Sequence, residues 1–313
     1  MSWKQTSAWP LHRVRETLGM FAYTKSQTHE LTYSIVLSTK DTQPITIAIP
    51  LPPDTNHQKI QNLTLHLPHT TEIQDTTFGN RILIASIEPR TEKMEVPVFR
   101  CLVTTTPNHG QMPGDGRMPC APTQNRLVHT EDARIQTLAR HVGQGSSTQE
   151  KARHINTHLI NHLTYGDPID GLYSDLDALT RPRVDCGGFN MLFVSLCLAN
   201  DIPARIVSGF WLDGIKNDMH AWAEFQVEDG RWIPVDPSVE QMVRQGRTHK
   251  SGRFGFVGSD RLTLSVGCDI PITWNNKIFH APILQHPFIL EGSSQARCRG
   301  DIHVARPSVA PAI

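Results

Sequence analysis

Cys186, His220 and Asp236 stand in the chain in the order that a thiol acyl-transfer site requires: a nucleophile, a base, and a carboxylate to orient the base. Cys186 opens the stretch Asp185-Cys186-Gly187-Gly188, after which Phe189, Leu192, Phe193, Leu196 and Cys197 recur at helical steps. This predicts a helix that is apolar on most faces and therefore buried, ending near Asn200 because Pro203 cannot continue it. Cys186 then falls near the first turn, where unpaired backbone N–H groups and the positive end of the dipole favour an anion. The expected result is a lowered thiol pKa and a reactive thiolate. The same N–H groups can stabilise an oxyanion formed on a carbonyl, and the glycines leave room for a substrate backbone to approach. Asp185 works against the dipole, since a neighbouring negative charge raises a thiol pKa.

Three strands are expected after this helix: Ala204–Leu212, His220–Val227 and Trp232–Asp236. In the middle one, His220, Trp222, Glu224 and Gln226 share one face, and Ala221, Ala223, Phe225 and Val227 share the other. The turn that follows decides where Asp236 points. A two-residue Asp-Gly turn would pair Ala223 with Asp236 and set the carboxylate on the wrong face. A three-residue loop, Glu228-Asp229-Gly230, with Gly230 left-handed, pairs Val227 with Arg231 and Trp222 with Asp236. Asp236 then lies diagonal to His220 on the same face, so this loop is the one expected.

Composition narrows the alternatives. The chain has 313 residues, 38% hydrophobic and 19% charged, which suits a packed core and suggests two domains. Lys plus Arg and Asp plus Glu number 30 each, so net charge makes no case for nucleic acid or an anionic membrane as partner. The run from Met191 to Ala199 is too short to span a bilayer, and residues 1–25 lack the core of a signal peptide. Six cysteines scattered without a CxxC pair fit a reducing compartment, and a cytoplasmic location is expected. No cofactor or metal is expected. His154, His158 and His162 recur at metal-compatible spacing but flank an apolar stripe, which reads as a solvated helix edge. Asp213–Asp218 is oxygen-rich without the alternating acids of a calcium loop, and reads as a loop bordering the site.

The elements that carry this site follow an N-terminal β domain, residues 1–106. Leu31–Leu37, Ile45–Ile49, Leu63–Leu67, Arg81–Ile87 and Val96–Val103 predict strands of an antiparallel sandwich. Residues 107–125, with four Pro and three Gly, form the expected linker. A catalytic domain spans 126–290 and opens with two helices. Thr130 is the candidate cap of the first, Ser147-Thr148-Gln149-Glu150 a capping box for the second, and Gly166 its C′ stop. Leu262–Val266 and Phe288–Leu290 are candidate further strands, and residues 291–313 read as a disordered tail.

The segments Asp185-Cys186-Gly187-Gly188, Leu192-Phe193, Ile202-Pro203-Ala204-Arg205-Ile206-Val207-Ser208-Gly209-Phe210, His220-Ala221-Trp222-Ala223-Glu224 and Trp232-Ile233-Pro234-Val235-Asp236-Pro237 together resemble the transglutaminase-like superfamily. The likeness covers about Tyr165 to Ser238, and Asp75-Thr76-Thr77-Phe78-Gly79-Asn80 is similar to a turn in the N-terminal β domain of its bacterial cysteine peptidase members. It implies an α+β fold with a papain-like core of helices packed on an antiparallel sheet. It also implies Cys186 as nucleophile, His220 as base and acid, and Asp236 as orienting group. The family tends to use an extra oxyanion donor, for which Tyr165 and Trp222 are candidates beside Gly187. The expected activity is hydrolysis of a peptide or protein amide through a thioester, with amine transfer as the alternative outcome. A binding protein that keeps the core without catalysis is the other class.

Overall fold

Alternating side chains in the N-terminal half pack two antiparallel sheets face to face. The structure is a computed structural model that describes residues 23–40, 42–112, 121, 124–212 and 218–307. The first six strands are β1 (Gln27–Ser38), β2 (Ile45–Leu51), β3 (Gln58–Leu65), β4 (Thr71–Gln74), β5 (Arg81–Ile87) and β6 (Lys93–Thr105). With β15 (Phe288–Glu291) and β16 (Arg297–Ala305), they form two four-stranded sheets in the orders β16-β1-β6-β3 and β15-β2-β5-β4. Leu31, Tyr33, Ile35 and Leu37 turn inward from β1 to meet Ile45, Ile47, Ile49 and Leu51 from β2, all buried. The short β4 was not anticipated.

The expected tail is not a tail. Arg297–Ala305 pairs with β1 from Ser38↔Arg297 to Glu30↔Ala305, and Phe288–Glu291 pairs with β2, so the C-terminal segment returns to the N-terminal sandwich. Alternate positions Gly300 and Ile302 turn inward between charged neighbours, which hides a strand inside a polar composition. Gly300 is required there, because a Cβ would strike the Tyr33 hydroxyl. Residues 308–313, and residues 113–120, 122 and 123 of the expected linker, lie outside the described residues.

The Asp75 turn joins the two halves. Asp75 accepts from the backbone N–H groups of Thr77, Phe78 and Asn80 at 2.9, 2.6 and 2.6 Å. Asn80 then exchanges two 2.8 Å bonds with the backbone of Val266, while Phe78 packs with Ile270, Ile272 and Leu284. Asn80→Ala would leave a buried N–H and C=O of Val266 unpaired. The expected cost is about 2 kcal/mol, read as a lower urea midpoint with an unchanged slope.

The second half wraps helices and a sheet around the cysteine-bearing helix. Helices α1 (Ala133–Val142), α2 (Thr148–His162), α3 (Asp175–Thr180), α4 (Cys186–Leu198) and α5 (Pro237–Arg244) accompany strands β9 (Ala204–Trp211), β10 (Met219–Gln226), β11 (Trp232–Val235) and β12 (Arg261–Val266). The sheet order is β11-β10-β9-β12, antiparallel throughout. Every residue of α4 after Cys186 is buried, as its unbroken apolar run requires. It packs against Ala221, Ala223, Phe225 and Val227 on one face of the sheet.

Two expected helix ends differ. The cap of α1 is Asp132, accepting from Arg134 N, because a turn closed by Asp132 N and His129 O delays the helix past Thr130. Ser147 caps α2 as expected, but the helix stops at Leu163 rather than near Gly166. Gln241 explains the stop: its side-chain amide donates to the carbonyls of Ile160 and Leu163 at 2.7 and 2.6 Å, so no left-handed glycine is needed. The chain then enters β7 (Thr164–Tyr165), which pairs in parallel with β8 (Arg183–Val184). A hairpin of β13 (Ile270–Trp274) and β14 (Lys277–Ala281) turns on Asn275 and Asn276, both with positive φ.

Candidate active site

The hairpin after β10 has the three-residue loop. Val227 N–H donates to Arg231 O at 3.0 Å, Gly230 has φ 83°, and the pairs run from Gln226↔Trp232 to Ala223↔Val235. Continued one step, this register sets Asp236 opposite Trp222 and diagonal to His220. His220 Nε2 and Asp236 Oδ2 lie 2.7 Å apart, both residues buried. Asp236 also caps α5: Oδ1 accepts from Val239 N at 3.0 Å and from the Ser238 hydroxyl at 2.7 Å. A single carboxylate thus starts a helix and orients an imidazole.

Cys186 is the first residue of α4, and the Asp185 carboxylate caps the helix through Gly188 N at 3.1 Å. Asn190, one turn further on, donates to Cys186 O at 2.8 Å and to Ala221 O at 2.9 Å. This side chain ties the thiol turn to the strand that carries His220. The N–H groups of Ala221 and Gly187 point at the sulfur. Gln285 completes the placement by donating to His220 O at 2.7 Å.

The electrostatics of the thiol differ from the expectation. Burial and then the Asp185 charge push the Cys186 thiol up to about 12, although the Ala221 and Gly187 N–H groups pull the other way. Desolvation, reinforced by the Asp185 charge, outweighs the helix dipole. The room expected beside the glycines is also taken: a Cβ on Gly187 would meet Leu172 Cδ1 at 2.8 Å, and one on Gly188 would meet Val184 Cβ at 2.6 Å. These glycines admit the protein's own side chains. Burial lowers the His220 pKa against the pull of Asp236. Burial would raise Asp236, but His220 and Arg261 outweigh it and hold the carboxyl well below the usual range. At rest the thiol and the imidazole are therefore each neutral, and the carboxylate of Asp236 is ionised.

Of the three candidate accessory residues, two lie at the thiol. Gly187 directs its N–H there, and Tyr165 is close enough that Cys186, ahead of burial, is the main cause of its raised hydroxyl pKa. That hydroxyl stays protonated and able to donate. Tyr165 is held in turn by Gln241 Oε1, which accepts from its backbone N–H at 3.0 Å. Trp222 is elsewhere. It lies on the sheet face turned from α4, among Val207, Val257 and Val266, and walls a cavity of about 80 Å³ with Arg205, Glu224 and Arg261. Its even position in the strand, shared with His220, sends it there.

Sequence reasoning missed Asn190, Gln285, Arg261 and Trp211. The Trp211 ring stacks on His220 with centroids 4.3 Å apart and planes at 25°. Each is brought in by a contact between distant segments, and only Asn190, a polar residue one turn after Cys186 on an apolar helix, carried a signal. Among the described residues, no group of three or more His, Cys, Asp or Glu side chains is arranged to hold a metal ion. His154 and His162 each set Nδ1 against a backbone carbonyl, of Gln144 and His158 respectively. The loop at 213–217 lies outside the described residues.

Cys186 at a helix start and a His220–Asp236 pair on an antiparallel sheet accompany a β-sandwich in this fold. Residues 136–237 match the family model of the transglutaminase-like superfamily. No curated protein matches the chain. A solved structure from Cytophaga hutchinsonii, provisionally called a cysteine protease, is similar at 16% identity and TM-score 0.57, over 91% of this chain and 93% of its own. The periplasmic domain of TgpA from Pseudomonas aeruginosa, bound to ethylmercury, aligns over 75% of this chain and 97% of its own, at 16% identity and TM-score 0.36. The transglutaminase-like match lies within residues 136–237 of the 313, and the Cytophaga structure extends the shared fold to the β domain.

Proposed function

We propose that this protein is a thiol-dependent acyl-transfer enzyme that opens amide bonds through Cys186, His220 and Asp236, acting as a cysteine peptidase or amidohydrolase. The observation that carries the reading is the 2.7 Å His220–Asp236 pair, set one residue from the N–H that points at the Cys186 sulfur. With Nε2 engaged by Asp236, Nδ1 is the ring nitrogen left to take the thiol proton. Sulfur then attacks the carbonyl carbon, and the oxygen gains negative charge beside the Gly187 N–H and the Tyr165 hydroxyl. His220 returns the proton to the leaving nitrogen as the C–N bond breaks, leaving a thioester on Cys186. Water adds to the thioester with His220 again as base, and the acid leaves as the thiol re-forms. A primary amine in place of water gives the amine-transfer variant. The proposed location is a reducing compartment, on the strength of the scattered cysteines.

The test is mass spectrometry of glutamine-bearing and ordinary peptides after incubation with the wild type or Cys186→Ala, with and without a primary amine. Cysteine-dependent cleavage or deamidation is the expected result. Amine incorporation would favour the transfer variant, and turnover that persists in Cys186→Ala would overturn the proposal. A pH dependence follows from the same geometry. The base must be neutral to act, and burial lowers its pKa from the ordinary 6.5. The acid limb of kcat/KM is therefore expected to have its midpoint below 6.5, with activity lost as His220 gains a proton. A midpoint above that value would show that the imidazole is not desolvated.

A further inference from the structure

Arg261 is buried, and its guanidinium binds the oxygen of Asp236 that also binds His220. Arg261 Nη1 donates to Asp236 Oδ2 at 2.7 Å, the same distance as the His220 bond, while Nη2 donates to Ser251 O. Its centre lies 4.5 Å from the Trp211 ring and 5.2 Å from the Trp222 ring, and Nε stands 3.8 Å from Asp260 Oδ1. Gly252, with φ 145°, fits closely behind the pair, since a Cβ there would strike Arg261 Nη2 and approach Asp236 Oδ2 at 3.1 Å. A buried cation fixed this firmly against a candidate catalytic carboxylate is more than that carboxylate needs as a helix cap.

Resting on the triad reading, we propose that Arg261 is a positioning residue: it fixes Asp236 for His220 and offsets the carboxylate charge, keeping the Cys186–His220 pair uncharged until a substrate arrives. A carboxylate alone beside His220 would stabilise an imidazolium and so a preformed thiolate. A cation on the same oxygen cancels part of that pull. The other charged groups around His220 are Asp260, the residue before β12, and Lys250, whose Nζ lies 4.6 Å from the Trp211 ring that stacks on the imidazole. Arg261 is the cation among them that touches Asp236.

The rate of Cys186 alkylation by iodoacetamide against pH, followed by peptide mass spectrometry, reads this directly. In the wild type, labelling rises as His220 loses its proton. In Arg261→Met, which fits between the two tryptophans without charge, the midpoint is expected to rise by about one pH unit or more. Arg261→Lys keeps the charge and should leave the midpoint near the wild-type value, which a purely structural role would not produce. An unmoved midpoint in folded Arg261→Met overturns the proposal, as does an equal shift in both variants. If the Met variant fails to fold by thermal melt, Arg261→Gln takes its place with the same criteria. Failure of the wild type to label at Cys186 would overturn the triad reading itself, an outcome separate from an unmoved midpoint.

Discussion

Cys186→Ala is expected to lower kcat by a factor of about 10⁵ or more and to leave the fold intact. The nucleophile is the group whose loss the other two cannot replace, because neither His220 nor Asp236 is placed to attack a carbonyl. The side chain is small and Ala fits a helix start without strain, so stability should change by less than about 1 kcal/mol. Kinetics and a urea melt on the same preparation check both halves. Large residual turnover would mean that another group carries the chemistry; a large loss of stability would mean that Cys186 serves packing.

Asp236→Asn should cost about 10³ to 10⁴ in kcat and also destabilise the protein. The amide keeps the size of the carboxylate, and its oxygen can still accept from Ser238 and Val239. Its NH₂ group, however, would face the His220 Nε2 and Arg261 Nη1 donors that now share Oδ2. The imidazole must then place its proton on Nδ1, where it can no longer accept one from the thiol. Arg261 loses its closest counter-charge in a buried site, which costs about 3–5 kcal/mol when one partner is removed. The carboxylate form of Asp236 is favoured by folding, so its contribution is full above about pH 4 and is lost only as the pH falls through its lowered folded value. Kinetics scaled to the folded fraction separate the two effects. A variant with full activity per folded molecule would contradict the orienting role.

How much of this was written in the sequence depends on the range of the interactions. The hairpin register was legible because it is local. Gly230 supplies the left-handed residue, the three-residue loop fixes the pairing, and the period of two then decides that Asp236 and His220 share a face. The five main strands of the sandwich and the burial of α4 were legible for the same reason, each being a pattern within one segment. The reactive form of Cys186 was not. Its neighbouring glycines are covered by Leu172 and Tyr173, from a segment that approaches them only in the folded chain, and desolvation reverses the sign expected from the dipole. The last strand was hidden because its inward positions include Gly300, whose missing side chain is the space that Tyr33 fills.

The α5 segment shows why a candidate site can be read while its support cannot. Asp236 starts the helix, Gln241 from its middle caps α2 and holds the Tyr165 backbone, and Asn156 of α2 donates to Glu240 at 3.0 Å. One short helix therefore links the orienting carboxylate to the candidate oxyanion donor. The side chains responsible are ordinary amides and acids, with no spacing that marks them.

Acyl trapping tests the central claim most directly. The wild type and Cys186→Ala would be mixed with p-nitrophenyl acetate, quenched in acid, and digested for mass spectrometry. The account predicts an acetyl group on Cys186 as a thioester, released p-nitrophenol in step with it, and neither in Cys186→Ala. Acetylation confined to another residue, or equal release of p-nitrophenol by both proteins, would contradict it.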